Sequence, residues 1–90
     1  MFDADERVGK WLIDRCVAPG EPAFYECHRR DDPGSAGLMK ALPNLPHFVE
    51  RLRREARVLR DLDHPAVPKL VDFGQNSKLG ATWIVTNFYD

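Results

Sequence analysis

Residues Leu52 to Phe73 read LRREARVLRDLDHPAVPKLVDF. Taken with the few residues before it, the first part of this stretch sets Phe48, Leu52, Leu59 and Leu62 on one face of a helix at 100° per residue. Glu50 projects to the opposite side, and Arg53, Arg54, Arg57 and Arg60 point away from the stripe as a solvated face. Pro43-Asn44-Leu45-Pro46 opens the helix, because a proline in the first turn lacks an N–H that would have no partner there. His64-Pro65 closes it, so the predicted helix runs from about residue 47 to 62, and His64 caps or packs the loop that follows. Glu55 is the exception in this pattern, a carboxylate inside the apolar stripe. Unpaired burial there would cost on the order of several kcal/mol, so Glu55 must snorkel, be protonated or meet a cation from a neighbouring element.

Working outward from the helix, the segment just before it supplies the obvious cation. Lys40 is the one charged residue in Ala36 to Leu42, a predicted strand flanked by apolar positions. Upstream, Arg7 to Val17 reads as a strand, Ala18-Pro19-Gly20-Glu21-Pro22 as a turn, and Ala23 to Arg29 as the returning strand. Arg30 to Ser35 punctuates the next turn. Downstream, Val67 to Phe73 and Ala81 to Phe88 are apolar and β-branched enough for strands, separated by the polar turn Gly74 to Gly80. The predicted order is three strands, one helix and two strands, with no internal repeat.

Ninety residues make one small domain with a thin stability margin. With 43% hydrophobic and 30% charged residues and a net charge of −1, neither disorder nor a basic nucleic-acid surface is indicated. Cys16 and Cys27 lack CxxC spacing, and with His28, His47 and His64 they form no metal-ligand pattern, so reduced thiols and a cytoplasmic location are expected, with no metal held by this chain. No stretch approaches the roughly 18 apolar residues of a membrane span, and the N-terminus is too acidic for a signal peptide.

A strand lysine, a helix glutamate in Arg-Arg-Glu-Ala, and then Leu-Asp-His-Pro-Ala-Val-Pro before two strands resemble the N-terminal lobe of bacterial Ser/Thr protein kinases. The resemblance spans nearly the whole chain and is most specific over Leu52 to Phe73. It implies an α+β fold, a five-stranded antiparallel sheet with one helix, filling residues 1–90 as a kinase N-lobe whose larger second lobe is absent. In that family the strand lysine holds the α- and β-phosphates of ATP and the helix glutamate orients it. By resemblance these catalytic residues are Lys40 and Glu55, the pair the apolar-stripe argument reaches from the residues alone; a purely stabilising ion pair is the alternative. The other implied nucleotide-binding positions are Val17 and Gly20 in the phosphate loop, Phe24 and Leu38 over the adenine, Thr86 as gatekeeper, and Asn87 and Tyr89 at the hinge.

The sequence departs from the family in two places. The phosphate loop should read GxGxxG, yet Val17 to Pro22 keeps only Gly20, sets prolines at two signature glycines, and adds the charge of Glu21. Phe24 and Leu38 are larger than the valine and alanine that roof the family's adenine pocket; they are otherwise ordinary core residues. Asp72-Phe73-Gly74 spells the family's magnesium motif in the wrong place, and Asp72 is expected to end a strand and begin a turn.

The leading expectation is the ATP-binding lobe of a Ser/Thr protein kinase-like protein, transferring phosphoryl groups to a protein substrate only when a second lobe supplies the base and the magnesium ligands. The alternative is a pseudokinase-like interaction module with weak or no nucleotide binding. An isolated lobe would leave Trp83, Val85 and Phe88 on an uncovered sheet face, to be met by the second lobe, a partner protein or another copy.

Overall fold

A computed structural model describes residues 1–87. Along them run β1 (Arg7–Val8), β2 (Trp11–Ala18), β3 (Ala23–Arg29), β4 (Asp32–Pro43), α1 (Pro46–Asp61), β5 (Leu70–Asn76) and β6 (Ala81–Asn87). All strand pairs are antiparallel, in the order β1-β2-β3-β4-β6-β5. The sheet therefore has six strands among the described residues, not five. The first expected strand is broken by a two-residue hairpin loop, Gly9-Lys10, which pairs Val8 with Trp11. Gly9 sits at φ 59°, the left-handed conformation that such a loop needs at its first position and that glycine adopts without a Cβ penalty.

Period-two alternation assigns the sheet two faces. On one face Val8, Trp11, Ile13, Tyr25, Cys27, Met39, Trp83 and Val85 form a continuous buried cluster. Leu42 and Ile84 point to the other face, where they meet Leu52 and Ala56 of α1. The first face is enclosed because the sheet curls onto itself, helped by irregularities in the β2–β3 register. The Trp11 indole Nε1–H on β2 donates to Asp72 Oδ2 on β5 at 2.8 Å, although three strands separate them in the sheet order. Trp83 lies inside the curl, its ring so close to Gly9 and Gly74 that a Cβ would come within 3.0 Å and 2.4 Å of it.

This arrangement corrects several sequence readings. Trp83 and Val85 are 3% and 0% exposed, so no uncovered sheet face at these positions calls for a second lobe or another copy; Phe88 lies outside the described residues. Asp72 does not end a strand: β5 continues through Gly74 to Asn76, Asp72 closes the curl, and Gly74 is where the Trp83 ring rests. The turn that follows is shorter, with Asn76 Oδ1 accepting the N–H groups of Lys78 and Leu79. The turn expected over Arg30 to Ser35 shrinks to Arg30-Asp31, and Pro33 to Ser35 bulge from β4, their kink held by Asp32, which accepts from Gly34 N–H and Ser35 Oγ.

Helix α1 begins with Pro46 at its first position and no side-chain cap, the Leu45 carbonyl accepting from Phe48 and Val49. Leu52 and Ala56 are its buried anchors, with Phe48 and Leu59 half-buried beside them, while Leu62 is 47% exposed and lies past the helix end. The loop after it is braced by His64, whose Nδ1 accepts the Ala66 N–H and whose carbonyl accepts the Val67 N–H. Among the described residues no helix is long and apolar enough to cross a membrane.

Candidate functional site

The register of three adjacent strands builds one wall of the site. Phe24 on β3, Lys40 on β4 and Ile84 on β6 are Cα partners in one row, and Glu26, Leu38 and Thr86 form the neighbouring row on the same face. Cross-strand partners stand within direct side-chain reach, and diagonal neighbours are within reach of an aromatic ring. The opposite wall comes from α1. With Leu52 and Ala56 seated on the sheet, the helical repeat turns Glu55 toward β4 and places Leu59 one turn further on.

Lys40 and Glu55 meet across that gap. Lys40 Nζ donates to Glu55 Oε1 at 3.0 Å and to Oε2 at 2.9 Å. The side chains are 22% and 37% exposed, so water still reaches one edge of the pair. The carboxylate in the apolar stripe has thus met a cation, the third of the outcomes open to it. At this exposure the pair contributes on the order of 1 kcal/mol or less. Both carboxylate oxygens hold the ammonium in place among the residues that line a groove beside the sheet. Such a group can bind an anionic ligand.

Beside the pair lies a cavity of about 200 Å³. Phe24, Leu38 and Ile84 line it from the sheet together with Lys40 and Thr86, and Glu55, Leu59 and Pro68 close the other side. Five of the predicted positions, Phe24, Leu38, Lys40, Glu55 and Thr86, are brought together here. The others are not. Val17 is 46% exposed and Gly20 stands in the open loop at φ 125°; neither lines the cavity. Asn87 alternates onto the other sheet face, where it borders a separate groove, and its backbone N–H is donated to the Lys69 carbonyl at 3.0 Å. Tyr89 lies outside the described residues.

Sequence reasoning missed Ile84, Leu59 and Pro68. Ile84 was within reach, since it alternates with Trp83 and Val85 and pairs with Lys40, and Leu59 lies one turn beyond Glu55. Pro68 carries no sequence signal for its place. Arg53, Arg54, Arg57 and Arg60 are exposed as expected, and the Arg53 guanidinium carbon also lies 5.7 Å from the centre of the Phe73 ring. Cys16 is exposed and Cys27 buried, both as free thiols; burial pushes the Cys27 thiol up to about 12. Among the described residues no three His, Cys, Asp or Glu side chains converge as a metal-ligand set.

The same arrangement of strands and helix occurs in solved structures. The PknI kinase domain of Mycobacterium tuberculosis superposes on the whole of this chain with a TM-score of 0.74 at 21% identity. The fold is that of a kinase small lobe. A singly substituted variant of that domain gives 0.75 at 21% identity, and a doubly substituted one 0.75 at 22%. The small-lobe fold accounts for 37–38% of the length of those chains, so this chain spans a little over a third of each. No family model matches the sequence, and no curated protein does.

Proposed function

We propose that this chain is the nucleotide-binding small lobe of a Ser/Thr protein kinase-like protein, with Lys40 as the phosphate-binding cation and Glu55 as the group that orients it. The Lys40–Glu55 contact carries the reading: two carboxylate oxygens within 3.0 Å fix the ammonium at the mouth of a cavity on the helix side of the sheet. In a small-lobe fold this is the place where ATP would bring its phosphates. The donor set suits the phosphate end of such a ligand. The Pro19–Pro22 loop suits it poorly, because of the four residues only Gly20 and Glu21 retain a backbone N–H, and Glu21 adds a like charge. Transfer of a phosphoryl group to a protein hydroxyl would require a base and magnesium ligands from a second lobe.

A second reading is favoured by that same loop. A small lobe without a phosphate cradle would serve as a pseudokinase-like interaction module, with little or no nucleotide bound. Titration with ATP and magnesium, read by melting temperature and tryptophan fluorescence beside a Lys40→Ala variant, separates the two. Saturable stabilisation that disappears in the variant is the expected result for a nucleotide-binding lobe. A folded wild-type chain that gives no response at millimolar ATP would favour the module.

A further inference from the structure

Helix α1 is seated on the sheet through Leu52 and Ala56, which leaves it two long edges. One edge carries Glu55 and Leu59 and faces the Lys40 cavity. The other carries Arg53, Arg57 and Arg60, spaced at i, i+4 and i+7 and so stacked along one side of the helix. Between this second edge and β5 runs an open groove of about 420 Å³, with Ala56, Leu70 and Phe73 as its floor and the three arginines as its rim. A cavity of roughly 150 Å³ holds a benzene ring, so a large apolar side chain has room here. None of the nucleotide-binding positions proposed above lines the groove.

The rim charges are available to a partner. All three arginines are exposed, and among the described residues Arg53 and Arg57 form no ion pair. Arg60 meets only Asp61, its neighbour in the chain, at 3.5 Å and in the open. Arg53 to Arg60 spans about 10 Å of helix at 1.5 Å per residue, the length of about three residues of extended chain. A guanidinium takes a carboxylate through two parallel hydrogen bonds, so this rim suits acidic side chains beside an apolar one. Nucleic acid fits less well: the floor offers nothing to a phosphodiester backbone, and a chain of net charge −1 lacks the long-range attraction that draws in a polyanion.

We infer that the groove between α1 and β5 is a docking site for a short acidic segment of a partner protein. The segment seats one large apolar side chain over Ala56, Leu70 and Phe73 and sets its carboxylates against Arg53, Arg57 and Arg60. Charge complementarity gives the segment its orientation, and burial of the apolar anchor gives most of the affinity. The site uses the edge of α1 turned away from Lys40 and does not depend on the nucleotide reading.

Fluorescence anisotropy of the whole chain with a labelled peptide, Gly-Asp-Glu-Phe-Glu-Asp-Gly, tests this, each protein first shown folded by a cooperative melt. Binding should be saturable, and roughly tenfold or more weaker when the acids are replaced by their amides or the phenylalanine by alanine. Arg53→Glu combined with Arg57→Glu should weaken the intact peptide by roughly tenfold or more, whereas Arg51→Glu, exposed and outside the groove, should stay within about twofold of wild type. Arg60→Glu carries the test if the double variant does not fold. Lys40→Ala should bind the peptide as wild type does, which keeps this site distinct from the nucleotide site. No saturable binding at millimolar peptide, or equal losses at Arg51 and at the Arg53 and Arg57 pair, would overturn the proposal. Tighter binding of an oligouridylate RNA than of the peptide would overturn it in favour of nucleic acid, and a dimer of the chain that Arg57→Glu dissolves would overturn it in favour of a second copy.

Discussion

The two faces of the same sheet are used differently. Inside the curl, Tyr25, Met39, Trp83 and Val85 are at most 3% exposed, and even the polar edge of Trp11 is matched by Asp72. On the face under α1, packing is dense only where Leu42 and Ile84 meet Leu52 and Ala56; next to it stand an ion pair half open to water and a cavity. A strand with period-two alternation can serve both roles at once, because successive residues of β4 such as Met39 and Lys40 face different environments 3–4 Å apart along the chain. The enclosed face supplies stability; the helix face gives up some of it to hold a charge and an opening. Substitutions on the first face should therefore register in stability, and those around Lys40 chiefly in binding.

That contrast can be broken most severely at Trp83. Trp83→Ala should destabilise the chain by about 3–5 kcal/mol in urea unfolding, leaving a domain of this size close to its limit. A loss below about 1 kcal/mol would mean that the curl is not held from within. Leu52→Ala, which detaches α1 from the sheet, should cost about 2–4 kcal/mol and should also abolish any ATP response, because Glu55 is placed by that anchor. Glu55→Gln sharpens the distinction: a loss of only about 1 kcal/mol in unfolding, against a clear fall in ATP-induced stabilisation. A stability effect as large as that of Leu52→Ala would show the pair to be structural.

The smallest effect concerns the two thiols. Cys16 should react with iodoacetamide in the folded chain at neutral pH, and Cys27 only after unfolding, since burial holds its thiol protonated. The sign of the accompanying pH dependence follows from the raised value. The folded chain binds this proton more tightly than the unfolded chain, so the contribution is fully present below about 9 and is lost as pH rises toward about 12. Tyr25, also pushed up mainly by burial, loses stability in the same direction. Cys27→Ala should flatten the alkaline limb of a stability-against-pH curve; an unchanged limb would assign it to Tyr25.

Much of this could be read from the chain, and the remainder had definite physical reasons for escaping. The helix and the Lys40–Glu55 pair were legible because both rest on local periodicity and one misplaced charge. The small-lobe fold followed from the order of motifs. The six-strand count was missed because Gly9 looks like an interruption of a strand until its positive φ identifies it as the first residue of a hairpin loop. Gly74 was taken for a turn residue, and its real reason, the Trp83 ring resting on it, is a contact between strands that local propensity does not contain. Trp83 and Val85 were expected on an uncovered face, because nothing in the local sequence says that the sheet would close over them. The cavity depends on side-chain volumes from four elements and could be read only as bulk at Phe24 and Leu38.

The bond from Trp11 to Asp72 spans 61 positions of the chain. Closing so long a loop is entropically unfavourable until the intervening strands are in place, and folding rates fall as such distant contacts accumulate. The curl can therefore form only after β2 through β6 have assembled, and it ties the first hairpin to the last strands as one cooperative unit. Cleavage in the exposed segment between α1 and β5 would leave neither fragment able to close its interior by itself, whereas the two fragments mixed together retain every strand needed to rebuild it.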